Sequence, residues 1–256
     1  MKVFGFLKRF AEKYLFNRKW KCLSCGKEIF DGDFCKDCEK ALPIIGENRC
    51  AHCGRKTASP VSYCLTCKGR LTETDKCLSV FNYEEPISRL IKKLKYYNGR
   101  YLAETFSEYL FKAYKDSGIT ADAATFVPMT ARAEKKRRFN QSRLLAEKFS
   151  GISGLPLIDV LIKAKETERQ AKLSAAERRK NLLSAFRVKD RKSVKGKSVV
   201  IIDDVSTTGT TGETIAQKLK RAGAAKVYLL TVASVQIEKI NVPKAGRKTT
   251  VNQKKK

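Results

Sequence analysis

One segment, from Ser198 to Gly212, limits the fold of this chain more than any other. It opens with four β-branched residues at Val199–Ile202, a pattern typical of a strand buried on both faces of a parallel sheet. Two adjacent carboxylates, Asp203 and Asp204, follow where that strand is expected to end. Small hydroxyl residues and glycines then lead into a helical pattern over 213–222. This order predicts an open α/β sheet, in which ligands lie at the carboxyl ends of the strands.

The loop between this strand and helix has the chemistry of an anion site. A tight threonine and glycine loop that opens a helix presents backbone N–H groups and the positive end of the helix dipole to a phosphate. Two carboxylates beside it suit ribose hydroxyls or a magnesium ion. No lysine follows Gly209 or Gly212, which excludes a Walker A loop, and the glycine spacing differs from the Rossmann fingerprint. The segment therefore predicts a site for a phosphorylated sugar.

Eight of the nine cysteines fall into four Cys-x-x-Cys pairs. Each pair can place two thiolates on one tetrahedral metal, and two pairs complete a four-sulfur zinc site. Consecutive pairing is favoured, because each half then repeats the same short ribbon, and it gives two structural zinc ions. A cross-brace that joins the first pair to the third stays open, and redox chemistry is the less favoured alternative. The predicted ligands are Cys22, Cys25, Cys35, Cys38, Cys50, Cys53, Cys64 and Cys67.

Two further residues near these pairs are given no role in the metal sites. His52 lies inside a knuckle whose four thiolates already suffice, so we expect it to be a bystander. Cys77 is unpaired and is expected to pack as a small apolar residue.

The charge of the chain narrows the class of partner. Its 256 residues carry 54 Lys and Arg against 26 Asp and Glu, a formal net charge of +28. Such an excess favours nucleic acid, phosphorylated metabolites or an anionic membrane surface. No signal peptide is visible, and no apolar run approaches the length that spans a bilayer. Paired cysteines without a secretion signal predict a cytoplasmic protein, with attachment to the inner face of the membrane as an alternative.

Hydrophobic periodicity outlines the rest of the sheet. Apolar strand patterns alternate with amphipathic helical patterns, which is typical of an α/β protein. The predicted strands are 78–83 at an edge, 125–128 as the first core strand, 156–162, 185–188, and 226–235 closing the sheet; helices are predicted after Pro86, through 102–110 and through 144–149.

Composition divides the chain into four parts. Residues 1–21 predict a basic amphipathic helix that packs on its own domain, with a membrane surface as the alternative. Residues 22–76 form the predicted double zinc ribbon, and 77–236 form the sheet domain. Residues 237–256 are rich in cations with little to bury, which predicts a disordered tail and a candidate tether for nucleic acid.

Two polar segments are predicted to flank the ligand site. The basic segment 132–141 follows a parallel strand, so we expect a loop at the same sheet edge as Asp203 and Asp204. The long charged segment 166–183 lies between two strands and is predicted to be a lid that excludes water, with a solvated helix as the alternative. The candidate lid residues are Arg169, Gln170, Lys172, Arg178 and Asn181.

The segment from Val199 to Thr211 resembles the phosphoribosyl pyrophosphate (PRPP) loop of type I phosphoribosyltransferases at every position of that family's pattern. The resemblance implies an open, mostly parallel sheet with helices on both faces, here preceded by a small Cys-rich zinc-ribbon module. It also implies that Asp203 and Asp204 are the catalytic carboxylates that hold the ribose 2′ and 3′ hydroxyls. Thr207 stands where the 6-oxopurine enzymes carry an Asp, which argues against hypoxanthine or guanine as acceptor. The implied PRPP-binding residues are Ser206, Thr207, Thr208, Gly209, Thr210 and Thr211.

Under this resemblance the basic segment suits the pyrophosphate of PRPP. Lys135, Arg137 and Arg138 are the candidate pyrophosphate ligands, because that group carries several negative charges. A magnesium ion bound with PRPP would offset charge on the leaving group while a nucleophile displaces pyrophosphate at C1. No residue is identifiable as a general base for a defined acceptor, so binding without turnover stays an alternative.

The order of motifs resembles the ComF competence family more closely than phosphoribosyltransferases in general. This resemblance implies a cytoplasmic phosphoribosyltransferase-like protein that takes part in internalising single-stranded DNA during natural transformation, with single-stranded DNA and other DNA-uptake proteins as partners. The alternatives are a metabolic phosphoribosyltransferase for a small base or amine, and a PRPP-sensing regulator that binds nucleic acid. The motifs, between Cys22 and Val235, are the four cysteine pairs, Leu94–Tyr96, Val127–Pro128, Arg138–Gln141, Gln170, Leu173, Arg178, Arg179, Asn181, Ala185–Phe186 and the final loop.

Overall fold

A computed structural model of the chain describes residues 20–68, 72–164 and 184–236. The predicted lid and the basic tail lie outside the described residues, as does almost all of the predicted N-terminal helix. The helix was predicted to extend to residue 21. This predicted end is wrong, because Trp20–Lys21 form a short strand, β1. Backbone pairing with Glu28–Ile29 holds these two residues extended.

Short elements build the cysteine-rich module, and longer ones build the α/β part. The module contains β1, β2 (Glu28–Ile29) and α1 (Lys36–Lys40). The elements that follow are β3 (Lys76–Asn82), α2 (Ile87–Tyr96), α3 (Leu102–Asp116), β4 (Ala123–Phe126), α4 (Ala131–Arg137), α5 (Gln141–Ser153), β5 (Leu161–Lys163), β6 (Phe186–Val188), β7 (Ser198–Ser206), α6 (Thr210–Arg221) and β8 (Lys226–Ser234).

The main sheet has the order β3-β8-β7-β4, and all three of its pairings are parallel. This confirms the predicted open parallel sheet and the edge position of β3. β8 lies between β3 and β7, so the last strand fills the interior of the sheet rather than ending it.

The prediction of a strand over 156–162 is wrong for most of these residues. Only β5, Leu161–Lys163, is a strand, and it pairs with β6 in a separate antiparallel ribbon. Leu157 adds one isolated parallel bridge to Ala124 at the outer side of β4. Asp159 is turned outwards, where its carboxylate forms an ion pair with Lys189 at 2.9 Å, so the apolar run is not a continuous buried strand.

Helices cover both faces of the sheet because the side chains of β7 alternate between them. Val199 and Ile201 are buried with residues of α6, β5 and β6. Val200 and Ile202 are buried on the other face with residues of α2, α3 and α5. Full burial of each such side chain stabilises the fold by about 1.5–3 kcal/mol. The predicted helices on both faces are therefore confirmed.

The carboxyl end of β7 extends further than its aliphatic run suggests. The strand continues to Ser206, and its last residues still pair with β8, as in Asp203 with Thr231 and Ser206 with Ser234. Asp203 and Asp204 thus lie inside the strand, where its backbone fixes them on opposite faces. The helix predicted from residue 213 begins at Thr210, which leaves a connecting loop of only 207–209.

Candidate functional site

Two clusters of four thiols form the cysteine-rich module. Within each cluster all four sulfur atoms lie within 4.8 Å of one another. The Sγ atoms of Cys25 and Cys35 are 3.8 Å apart, as are those of Cys53 and Cys64. Zn–S bonds of about 2.3 Å in a tetrahedron imply sulfur separations of roughly 3.8 Å, so the donor set fits zinc. The clusters are Cys22, Cys25, Cys35 and Cys38, and Cys50, Cys53, Cys64 and Cys67, which confirms the consecutive pairing over the cross-brace.

The backbone around the thiols favours their ionised form at one position in each cluster. Burial raises the pKa of the Cys22 thiol, but hydrogen bonds from nearby backbone N–H groups outweigh it and lower the pKa to about 6. The same balance lowers the pKa of Cys64 to about 7. In the same clusters the pKa of Cys53 is raised to about 12, chiefly by burial and next by the charges of Cys50 and Cys64, and that of Cys38 is also raised to about 12, so without a cation the four thiols of a cluster do not all ionise.

The two ribbons, defined here as the first ribbon (22–38) and the second ribbon (50–67), contact different parts of the sheet domain. Cys22 and Phe34 of the first ribbon are buried in the core on the face of α2 and α3, and Arg89 donates a hydrogen bond to the carbonyl of Ser24 at 2.9 Å. The second ribbon meets the start of β3, where the Cys77 N–H donates to the carbonyl of His52 at 2.8 Å. The second ribbon also reaches the loop after β7, where Arg55 Nη2 lies 3.6 Å from the position of a Cβ on Gly209.

Asp204 is a buried carboxylate with two partners. Its Oδ2 forms an ion pair with Lys95, and its Oδ1 accepts a hydrogen bond from Gln141 Nε2 at 2.9 Å. Burial lowers the pKa of Lys95, but the charge of Asp204 outweighs it and leaves that pKa raised. A buried charge survives only when it is paired and hydrogen-bonded, and these contacts meet that condition.

Asp203 lies in a different environment from its neighbour. Its Oδ1 accepts hydrogen bonds from Ser142 Oγ at 2.7 Å and from the Asp204 backbone N–H at 2.9 Å. Burial, and next the negative charge of Asp204, raise the pKa of Asp203 to about 7. Its charge is thus less well compensated than that of Asp204, so a cation or hydroxyl donors would stabilise its ionised form.

The motif from Arg138 to Gln141 connects two helices to these carboxylates. Arg138 has φ +65°, which ends α4, and the Asn140 side chain caps α5 by accepting from the Ser142 N–H at 2.9 Å. Gln141 then links Asp204 to Arg137, whose Nη1 donates to Gln141 Oε1 at 2.7 Å. The capped turn therefore positions Gln141 against the end of β7.

The basic segment was predicted to be a loop, and this prediction is wrong. Residues 131–137 form α4, because Thr130 caps the helix by accepting from the Ala133 N–H at 3.2 Å. Of the candidate pyrophosphate ligands, Arg137 alone is connected to the carboxylates, through Gln141. Lys135 and Arg138 are exposed, and among the described residues no hydrogen bond or ion pair joins either to Asp203 or Asp204.

The candidate PRPP-binding residues lie together where β7 turns into α6. Ser206 ends the strand, Gly209 adopts φ +79° at the helix N-cap, and the Thr208 and Thr210 hydroxyls are 2.8 Å apart. The first N–H groups of a helix have no intrahelical acceptor and attract anions. Thr207 lies in the loop, and Thr210 and Thr211 belong to the first turn of α6.

Several residues of the site carried only a weak signal in the sequence. Lys95 was one of several lysines near the end of a predicted helix, and only the fold selects it as the partner of Asp204. Gln141 could have been found from the motif Arg138–Gln141, and Ser142 directly follows that motif. Arg55 of the second ribbon was predicted only as one of several cations suited to a nucleic-acid-binding face, and not as part of this site; it lies 3.6 Å from the position that a Cβ on Gly209 would occupy. The candidate lid residues lie outside the described residues.

Comparisons with known proteins agree with this architecture. The phosphoribosyl transferase domain family matches residues 141–253, and the double zinc ribbon domain family matches residues 13–71. The fold and the two sites define a protein with a type I phosphoribosyltransferase fold that carries a double zinc ribbon. Among the residues that the structure describes, no helix is long and apolar enough to cross a membrane.

Similar proteins identify the family of the chain. It is 28% identical to competence protein F of Haemophilus influenzae over 84% of this chain and 96% of that protein. It is 34% identical to the DNA utilization protein YhgH of Salmonella typhimurium over 70% of this chain and 81% of the relative. The competence protein ComFC of Streptococcus pneumoniae is 26% identical over 81% and 96% of the two chains. The chain belongs to the ComF family of competence and DNA utilization proteins.

Proposed function

We propose that this protein binds PRPP, or a related phosphorylated ribose, together with magnesium at the carboxyl end of β7, and that it handles single-stranded DNA. The observation that carries the proposal is the meeting of Asp203 and Asp204 with an amide-rich helix start at one edge of a parallel sheet. Arg137 lies at the same edge, because it donates a hydrogen bond to Gln141, which in turn donates one to Asp204.

The two carboxylates are proposed to have different tasks. Asp204 is already compensated by Lys95 and Gln141, so it orients the site and accepts a ribose hydroxyl. Asp203 has its pKa raised to about 7, so ribose hydroxyls or magnesium would stabilise its ionised form. Magnesium prefers carboxylate and phosphate oxygens, so Asp203 and the bound PRPP fit it together. When bound, the ion would offset the charge of the pyrophosphate leaving group.

Binding at both ends would position C1 of the ribose. The residues Ser206 to Thr211 hold the 5′-phosphate, and Lys135, Arg137 and Arg138 supply cations for the pyrophosphate. We further propose that Arg169, Gln170, Lys172, Arg178 and Asn181 close over the site as a lid, and that 22–76 and 77–236 are the zinc-ribbon and phosphoribosyltransferase-like units.

An aromatic and cationic surface at the end of α2 supports the DNA part of the proposal. Tyr96, Tyr97 and Tyr101 are 60%, 71% and 52% exposed. The Arg137 guanidinium lies 4.8 Å from the Tyr96 ring centroid, and Lys93 Nζ lies 5.5 Å from that of Tyr101. Exposed rings among cations suit the stacked bases and phosphates of single-stranded nucleic acid. Because Arg137 also contacts Gln141, this tyrosine surface borders the carboxylates.

Calorimetry with PRPP and magnesium tests the sugar site. Binding should occur with the full chain and disappear in Asp203→Ala/Asp204→Ala, because that variant removes both acceptors of the ribose hydroxyls. Asp116→Ala, at the exposed end of α3, is the matched control and should bind normally. Equal affinity for PRPP in all three proteins would contradict the assignment of the sugar site to Asp203 and Asp204.

Pyrophosphate release separates the remaining alternatives. Release that requires a small base or amine would favour the metabolic transferase, whereas release that requires DNA oligonucleotides would support a reaction in DNA handling. PRPP binding without release, accompanied by a changed DNA affinity, would favour the PRPP-sensing regulator.

The role of the tyrosine surface in DNA binding is tested with oligothymidine and the variant Tyr97→Ala. Loss of one stacking ring should weaken binding about five- to a hundredfold, and affinity should fall steeply with salt. Phe30→Ala removes a fully exposed aromatic of the first ribbon and serves as the control. If Phe30→Ala and Tyr97→Ala have the same effect, the tyrosine surface is not the binding face.

A further inference from the structure

A small pocket of about 60 Å³ lies between the second ribbon and the loop after β7. One wall is formed by His52 and Arg55 of the ribbon, and the other by Ser206, Thr208 and Gly209. The pocket therefore joins the zinc module to the residues that present backbone N–H groups at the start of α6.

Arg55 is an unusual residue for such a wall, because it is charged and only 4% exposed. Its Nε has no hydrogen-bond partner within the described ranges 20–68, 72–164 and 184–236. A buried arginine is expected to be paired, since an uncompensated guanidinium is costly to bury. Its Nη2 lies 3.6 Å from the position of a Cβ on Gly209, so the guanidinium is aimed at the loop.

The ribbon holds Arg55 there through a close backbone contact. Gly54 has φ +69°, and a Cβ at this position would lie 2.6 Å from the carbonyl oxygen of Cys77. The Cys77 N–H donates to the carbonyl of His52 on the other side of the same turn. The knuckle that carries Cys53 is therefore packed directly on the start of β3, and Arg55 follows it.

The nearby carboxylate does not satisfy this guanidinium. Glu213, in the first turn of α6, accepts hydrogen bonds from the Thr74 N–H at 3.1 Å and from the Thr74 hydroxyl at 2.5 Å. His52 Nε2 lies 4.0 Å from the same carboxylate. A buried guanidinium with a partnerless Nε, aimed at the start of α6, suits an anion, and Arg with backbone N–H groups is a common donor set for phosphate.

We propose that Arg55 of the second zinc ribbon binds the 5′-phosphate of the phosphorylated ribose held at Ser206–Thr211, so that the zinc module completes the sugar-phosphate site. This inference rests on the proposed function. It adds a ligand that the loop itself does not contain, and it assigns the second ribbon a role that the first ribbon, packed against α2 and α3, does not share.

A consequence is that zinc and sugar phosphate stabilise one another. Zinc orders the knuckle that presents Arg55, and a bound phosphate holds Arg55 against the loop. Coupling between two binding sites is reciprocal, so PRPP should tighten zinc binding in the second ribbon by the same free energy that zinc adds to PRPP binding, and slower zinc release is the expected sign of it.

The inference is tested by calorimetry on the full chain with PRPP–Mg and, separately, with inorganic pyrophosphate. Arg55→Gln should weaken PRPP binding about ten- to a hundredfold, the effect of losing one hydrogen bond to a charged group. Its affinity for pyrophosphate, which lacks the 5′-phosphate, should not change. Arg55→Lys should recover part of the loss, and Lys56→Gln, an exposed cation next in the chain, should bind PRPP as the parent does.

The possible outcomes distinguish the role of Arg55 from the proposed PRPP binding on which it rests. Parent and Arg55→Gln proteins that bind PRPP equally would overturn the inference and leave the sugar site intact. A parent that binds no PRPP would overturn both. Equal weakening of PRPP and pyrophosphate would show a general charge effect and would also overturn the role of Arg55.

A second measurement needs no variant and covers the case in which Arg55→Gln does not fold. Zinc released to a chromophoric chelator is followed in the parent protein with and without PRPP–Mg. PRPP should slow the release of one of the two zinc ions and leave the other unchanged. Release that is unaffected, or slowed equally for both ions, would contradict the coupling.

Discussion

The zinc ribbons and the carboxylate cleft are both charged sites, but they are built in opposite ways. Each thiol cluster comes from one continuous segment, 22–38 or 50–67. The cleft instead collects Lys95, Gln141 and Asp204 from three separate elements. A local site can be completed by its metal, whereas the cleft exists only when the whole sheet is folded.

The two sites also differ in how their negative charge is compensated. Four thiolates in one cluster need an external dication, because their sulfur atoms lie within 4.8 Å of one another. Asp204 has an internal cation, Lys95, and Asp203 is left with its pKa raised to about 7. A bound metal is thus what stabilises each ribbon, whereas the protein's own Lys95 stabilises the cleft before any ligand binds. Four experiments test this difference.

The largest expected effect is the loss of a zinc ligand. Cys50→Ser should leave one bound zinc and unfold the second ribbon, because structural zinc binding supplies about 10 kcal/mol or more of folding energy. Metal analysis and limited proteolysis within 50–67 measure both effects. Cys77→Ser, a cysteine outside the clusters, is the control and should retain two zinc ions. Two zinc ions in Cys50→Ser would contradict the four-thiol assignment.

Next in size is the removal of the internal cation. Lys95→Met should cost about 3–5 kcal/mol in urea unfolding at pH 7.5, because it leaves the Asp204 charge buried without a cation, with Gln141 as its remaining partner. Lys92→Met, an exposed lysine of the same helix, should cost far less. Adding Asp204→Asn to Lys95→Met should recover much of the loss, and failure of that rescue would mean that the ion pair is not what stabilises this edge.

A smaller effect is expected where the second ribbon meets the sheet. Gly54→Ala should cost about 1–3 kcal/mol, because φ is +69° and the added Cβ would meet the Cys77 carbonyl at 2.6 Å. Gly26→Ala is the equivalent change in the first ribbon, with φ +78° and no atom within 4 Å of the Cβ, so it should cost only the backbone strain. Thermal unfolding with zinc content as the check compares them. Equal shifts would show that the second ribbon is not tightly packed on β3.

The smallest effect concerns pH. The folded pKa of Asp203 is raised to about 7 from an ordinary value near 3.8, so its ionisation weakens folding as pH rises through this range. The full shift would correspond to about 4 kcal/mol at pH 8, but Asp203 is only partly buried and solvent screens its charge. Asp203→Asn should therefore stabilise the protein by roughly 1–2 kcal/mol at pH 8, or a few degrees in Tm, and have little effect at pH 4. Denaturation across this range measures the difference, and a gain that does not depend on pH would exclude Asp203 as the titrating group.

Local patterns predicted most of the elements but not all of their roles. The helix after Pro86 was recognised because Ile87, Leu90, Ile91 and Leu94 recur on one face, and all four are buried. The basic segment was mistaken for a loop because a seven-residue helix has little periodicity, and its cap at Thr130 is a single weak signal. Arg137 was predicted as a ligand of pyrophosphate, and that role stays a prediction, because in the described structure it contacts Gln141 and Tyr96.

The sequence by itself determined what depends on neighbours along the chain: the four cysteine pairs, the buried strand at Val199–Ile202, and the acidic and threonine-rich residues after it. Only the tertiary structure decided which distant charges meet. It selected Lys95 among several lysines for Asp204, and it brought Arg55 to Gly209. The physical reason is that metal knuckles, strands and helix starts follow from short-range geometry, whereas the pairing of buried charges depends on how the helices and the ribbons pack on the sheet.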